Sequence, residues 1–177
     1  RERDYYVDVD NVEGARLATQ HLIDQGRTRL ATITGPTTMP GGIDRLTGFR
    51  EALDAAGLSS VAIEDGDFTA AAAAAAAKRM IESGVEFDGL FVASDLMARG
   101  VLVELTRAGL RVPEDVAIVG YDDSPVATSV SPTLTTVRQP SLVQGEVMAD
   151  ILLTLLAGGA PERETLLETQ LVVRESA

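Results

Sequence analysis

Two adjacent carboxylates, Asp122 and Asp123, follow a short apolar run from Val116 to Val119 in this 177-residue chain. Paired acids in that position suit three kinds of chemistry: accepting hydrogens from ligand hydroxyls, exchanging protons as acid and base, or holding a divalent cation. The run is β-branched and uninterrupted, as a fully covered parallel strand is, and open α/β sheets take their ligands beyond the carboxyl ends of such strands. Other chemistry-bearing residues follow other runs in the same way. Arg45 comes after Arg29 to Ile33, Phe68 after Val61 to Glu64, and Ser94 with Asp95 after Gly89 to Ala93. If those strands are parallel, their ends converge on one rim. A guanidinium fork, a carboxylate, a small hydroxyl and an aromatic face together suit the vicinal hydroxyls and apolar side of a sugar.

The elements that must position this rim are legible from periodicity. Apolar runs beginning near Leu30, Val61, Leu90 and Val116 are spaced by roughly 30 residues, the length of a βαβ unit. The expected fold class is therefore α/β: a doubly wound parallel sheet with helices on both faces. A helix is expected to start after Asn11 and run to Gln25, with Ala15, Ala18 and Leu22 inward and Gly26 at its end; the single histidine, His21, lies off that face. Leu46, Phe49, Leu53 and Ala56 set the core face of a second helix that stops at Gly57. Eight alanines, Ala70 to Ala77, favour a third helix because alanine loses no side-chain entropy there. A fourth follows Ser94 or Asp95, either able to cap it, with Met97, Val101 and Leu105 inward. Ser141 and Gln144 have capping-box spacing for a fifth, whose stripe of Val143, Val147, Ile151 and Leu155 requires a packing partner. The alternating run Leu166 to Val173 is expected to form one strand near a sheet edge.

Each candidate has a plainer role open to it. Arg45, in the first turn of its helix, has Asp44 and Glu51 within reach for surface pairing. Phe68 could plug the core. Asp123 could stabilise its own turn, and Asp95 is expected to cap its helix. Acid–base or metal chemistry at Asp122 and Asp123 is the enzymatic alternative, but no nucleophile, lysine or histidine accompanies them at a recognisable spacing. The loop GPTTMPGG lacks the GK[ST] ending of a phosphate loop and the G-x-G-x-x-G of a dinucleotide site, so no cofactor is expected.

Composition narrows the classes further. At 45% hydrophobic and 24% charged residues, this is an ordinary globular sequence. It has neither a hydrophobic signal region nor a span-length apolar run, so no membrane is expected. The absence of cysteine rules out thiol catalysis and suits the cytoplasm. A formal charge of −12 opposes contact with phosphate backbones, so this stretch should not itself hold DNA.

The stretch VPEDVAIVGYDDSPVATSVSPTLTTVRQP, Val112 to Pro140, resembles in register the lactose-repressor (LacI/GalR) family of transcription regulators. VDVDNVEGA, HLIDQG, ITGP, DRLTGFREAL, DGDFT, VASDLMARG and LVVRES extend that resemblance along nearly the whole chain. It implies the effector-binding domain of such a regulator, with a type I periplasmic-binding-protein-like C-terminal lobe formed by residues from about 10 to 138 and 160 to 177. The helix at 141–157 would belong with the other lobe, and without that lobe its stripe should be buried in another copy or poorly ordered. The DNA-binding headpiece would lie outside this sequence. Matched by position, the resemblance implies effector-binding roles for Arg45, Phe68, Asp122 and Gln139, with Ser94 replacing the family's usual asparagine. It implies no catalytic activity. The expected partners are a small effector, a sugar or else a nucleoside or purine, and a second copy of the protein. Self-association would involve the helix from Asp95 to Ala108 and the loop from Ser124 to Ser131. A sugar-binding protein feeding a transporter shares the architecture and is the alternative.

Overall fold

Alternate residues of the central strands face two different cores, as strands covered on both sides require. The computed structural model describes residues 5–177. In chain order the elements are β1 (Tyr6–Val9), α1 (Asn11–Asp24), β2 (Leu30–Thr34), α2 (Pro40–Ala55), β3 (Ala62–Asp65), α3 (Ala70–Glu82) and β4 (Gly89–Val92). They continue with α4 (Asp95–Arg107), β5 (Ala117–Asp122), β6 (Thr135–Arg138), α5 (Ser141–Leu156), β7 (Glu164–Leu167) and β8 (Gln170–Val172).

The main sheet has the order β3-β2-β4-β5-β6-β8. Its first five strands run parallel and β8 pairs antiparallel with β6. On one face Ala15, Ala18 and Leu22 of α1 and Leu46, Phe49 and Leu53 of α2 pack with Leu30, Phe91, Val119 and Tyr121. On the other, Ala73, Ala76, Ala77 and Met80 of α3 and Met97, Val101 and Leu105 of α4 cover Ile33, Leu90, Val92 and Ile118. This is the doubly wound arrangement expected from the run spacing. The chain leaves β2 toward β3 and returns to β4 on β2's other side, so the crevice at the strand ends opens between β2 and β4.

The alanine run is helical. Thr69 caps it by accepting from the Ala72 amide, and small side chains let α3 approach α4 until a Cβ at Gly100 would lie 2.1 Å from the Ala70 carbonyl oxygen. Several local expectations need correction. Asp10, rather than a later residue, caps α1, accepting from the Glu13 amide at 2.9 Å. Ala56 follows α2 as an exposed cap residue and has no part in the core. At α4 the cap is Ser94, not Asp95: its Oγ accepts from the Met97 amide at 3.2 Å. Ser141 and Gln144 form no capping box. Pro140 occupies the cap position, so Ser141 comes one residue too late, and Gln144 Nε2 donates to the Val7 carbonyl instead.

The run Leu166 to Val173 is not one strand. It divides at Glu168 and Thr169: β7 pairs with β1 in a separate two-stranded parallel sheet, whereas β8 joins the main sheet. Helix α5 packs on β1. None of its residues is buried; Val147, Ile151 and Leu155 are half-buried, while Leu142, Met148, Leu152, Leu153 and Leu156 are exposed. Three short joints therefore connect the two sheets: Asp10 between β1 and α1, Gln139 and Pro140 between β6 and α5, and Glu168 and Thr169 between β7 and β8.

Candidate functional site

Arg45 is buried on α2, contrary to the surface role open to it from sequence. Its Nε donates to Asn11 Oδ1 at 2.9 Å and its Nη1 to the Ala93 carbonyl at 2.5 Å. Its Cζ lies over the Tyr121 ring, 3.7 Å from the centroid, within the range of a favourable cation–π contact. Nη1 is also 3.7 Å from Asp122 Oδ1. Burial holds the guanidinium below its ordinary pKa, against the opposing pull of Tyr121, Asp122, Asp8 and Asp95. It remains charged, because an arginine side chain does not deprotonate in a protein.

Asp122 ends β5 at a backbone φ of 115° and Asp123 follows at 53°. These left-handed conformations direct the two carboxylates apart, and aspartate tolerates them better than most side chains. Gln139 Nε2 donates to Asp122 Oδ1 at 2.6 Å, joining the end of β5 to the segment between β6 and α5. Burial pushes the Asp122 pKa up to about 6; the charge of Arg45 opposes the rise and that of Asp95 adds to it. Asp123 is committed elsewhere, with one oxygen bonded to Arg138 Nε at 2.6 Å and the other to Arg174 Nη2 at 2.5 Å. Its burial pulls the pKa upward, but the two arginines outweigh that pull and hold it below the usual range. The adjacent acids thus have different partners, which is poor geometry for a shared proton or a shared cation.

Asp95 is fully buried and acts as a clamp. It accepts from Thr136 Oγ1 at 2.6 Å and from the Ser124 amide at 2.7 Å, holding β6 and the residue that follows the Asp122–Asp123 turn against α4. Burial raises its pKa, partly offset by these hydrogen bonds. Sequence reasoning missed this role, as it missed those of Asn11 and Tyr121. An acid beside a helix start reads locally as a cap, and nothing within VASDLM points to Thr136.

Phe68 also has a positive φ, 52°, and its ring lies 5.7 Å from Arg45 Cζ. A Cβ on Gly35 would come within 2.1 Å of the ring, so the glycine after β2 makes room for it. Arg45, Phe68, Ser94, Leu96 and Asp122 line one open cavity of about 300 Å³. Gln139 borders the neighbouring hollow, which it shares with Asp122. Residues from four strand ends thus meet on one rim, the juxtaposition expected if those strands ran parallel. The arrangement presents a charged donor, a carboxylate acceptor, a hydroxyl and two apolar surfaces to a small polar molecule.

Residues 19–177 match the family model for the periplasmic binding protein-like domain. The chain belongs to that family. Among curated relatives of this binding-protein-like chain is the HTH-type transcriptional regulator CelR of Thermobifida fusca, 47% identical over 174 residues, or 97% of this chain and 51% of the relative. Among solved structures, a CelR–cellobiose complex superposes with a TM-score of 0.95 at 46% identity, covering 99% of this chain and 55% of that one. A lac repressor dimer bound to operator and the anti-inducer ONPF superposes at 0.92 with 31% identity, covering 96% and 59%. The resemblance to lactose-repressor regulators is thereby borne out, as is the α/β fold class. The chain spans about half the length of the curated relatives it matches. Among the described residues, no helix is long and apolar enough to cross a membrane.

Proposed function

We propose that this chain is the effector-sensing part of a LacI-type transcriptional repressor: it binds a sugar at the β2–β4 crevice and passes the occupied state to DNA-reading headpieces elsewhere in a cytoplasmic homodimer. The observation that carries this reading is the placement of Arg45 beside Asp122, over Tyr121, with Ser94, Phe68 and Gln139 around them. Arg45 donates to ring or hydroxyl oxygens, Asp122 accepts from hydroxyl groups, Ser94 adds one hydroxyl, and Phe68 covers an apolar sugar face. Gln139 holds Asp122 and borders the same ligand.

In this reading the main sheet with its four helices is the C-terminal lobe, from about residue 10 to 138 and 160 to 177. Helix α5 and the small sheet belong with the other lobe, which supplies the rest of the pocket. A ligand between lobes shifts their arrangement only by its unequal affinity for the two states. The chemistry is recognition, without turnover. Similarity to CelR makes cellobiose the first sugar to test; nucleosides and purines are the next class, because Phe68 would stack on a base as well as on a sugar. Calorimetry on the intact protein should give one cellobiose site per chain. Arg45→Ala and Asp122→Ala should each weaken it by about tenfold or more, since hydrogen bonds to charged groups contribute ~1.5–3 kcal/mol. Unchanged affinity in both variants would refute the site, and binding of only purines would replace the effector class.

A further inference from the structure

The Arg45 side chain is held by a residue that no consideration of the rim would select. Asn11 is 4% exposed and occupies the first position of α1. Capping of that helix is already performed by Asp10, so the Asn11 amide is free for other contacts. Its Oδ1 accepts from Arg45 Nε at 2.9 Å, while its Nδ2 donates to the Val9 carbonyl and to Asp8 Oδ1, each at 3.2 Å. This orientation is chemically unique. A guanidinium only donates, so the amide oxygen must face it; a carbonyl and a carboxylate only accept, so the amide nitrogen must face them.

We propose that Asn11 is a positioning residue that fixes the Arg45 guanidinium at the candidate site and ties it to the first joint between the two sheets. With Gln139 bonded to Asp122 at the second joint, the chain of contacts runs Asp8, Asn11, Arg45, Asp122, Gln139. Both members of the site's charged pair are therefore bonded to residues at or beside the places where the chain passes between sheets, so a change in the angle of the sheets would bear on both. The affinity consequence rests on the effector reading above; the positioning itself does not.

Two variants of the intact protein, Asn11→Ala and Asn11→Ser, remove the amide while suiting a helix start. The first readout needs no ligand: the Asp122 carboxyl titration followed by carbon NMR. Arg45 opposes the elevation of that titration, and the other charged groups facing it, Asp8, Asp95 and Asp122 itself, are unaltered. Release of Arg45 should therefore move the Asp122 midpoint upward by about half a unit or more. The second readout is cellobiose calorimetry, where loss of one buried charged hydrogen bond predicts about a tenfold loss of affinity. A shifted midpoint in either variant supports the positioning role, and if wild type then fails to bind cellobiose, the effector reading falls alone. An Asp122 midpoint identical to wild type in both variants, with only a lowered Tm, overturns the proposal.

Discussion

Cζ of Arg45 lies 3.7 Å from the centroid of the Tyr121 ring, and the hydroxyl of that tyrosine is buried without a hydrogen-bond partner among the described residues. The ring therefore serves as a platform for the cation while its polar end contributes nothing that the surrounding protein satisfies. Tyr121→Phe should retain the platform and relieve the unsatisfied hydroxyl, leaving stability unchanged or raised by about 1 kcal/mol. Tyr121→Leu should lose both the cation–π contact and core volume, at a cost of roughly 2–4 kcal/mol. Chemical denaturation of the pair separates these effects; a phenylalanine variant much less stable than wild type would show that the hydroxyl is satisfied in solution.

The elevation of Asp122 to about 6 has a definite sign. An unfolded aspartate titrates near 3.9, so between roughly pH 4 and 6 the folded chain binds more protons than the unfolded one, and this group's contribution to stability falls as pH rises through that window. Asp122→Asn should remove that slope. Denaturation midpoints should show the asparagine variant as more stable than wild type at pH 7 and equal to it near pH 4; a difference independent of pH would contradict this assignment.

Cellobiose affinity should move oppositely. If the ionised carboxylate accepts sugar hydroxyls, binding weakens as pH falls through about 6, where Asp122 takes up its proton. Titration calorimetry at pH 5 and pH 7.5 tests this, with the Asp122→Asn variant expected to lose most of the dependence.

Asp95 bonds Thr136 and Ser124 from a fully buried position. Asp95→Ala leaves a buried hydroxyl and an amide without partners and should cost about 2–4 kcal/mol. Asp95→Asn keeps one acceptor oxygen and should recover part of that loss. Thermal unfolding ranks the three proteins; equal stability of all three would mean that the clamp is not formed.

Helix α5 exposes Leu142, Met148, Leu152, Leu153 and Leu156 along with part of its half-buried stripe. Apolar surface of that extent promotes association when nothing covers it. The 177-residue chain alone should therefore sediment with a concentration-dependent size, and Leu152→Lys with Leu156→Lys should make it monomeric without lowering its Tm. A wild-type chain that remains monomeric at high micromolar concentration would overturn this expectation.

Much of this architecture was legible because it depends on local patterns. Covered strands recurring at the βαβ interval placed Arg45, Phe68, Ser94 and Asp122 at strand ends, and parallel pairing brought those ends together. What was not legible depends on partners distant in sequence. Asn11 reads as a residue before a helix start until Arg45 is set beside it, Tyr121 as a residue just beyond a strand with no sign of the cation over its ring, and Asp95 as a cap until Thr136 arrives from β6. The division of Leu166 to Val173 was hidden for another reason: alternation continues unchanged through Glu168 and Thr169, and neither Gly nor Pro marks the transfer between sheets.

The alanine tract of α3 makes that helix vulnerable to a change of length rather than of side chain. Ala73, Ala76 and Ala77 are buried and interchangeable in chemistry, but Met80 beyond them is not. With about 3.6 residues per turn, one alanine gained or lost behind the fixed Thr69 cap turns everything downstream by ~100°. Met80 would swing out of the core and a charged neighbour, Lys78 or Arg79, would be carried toward it. A stretch that tolerates scrambling without limit thus acts as a ruler that admits no error in counting.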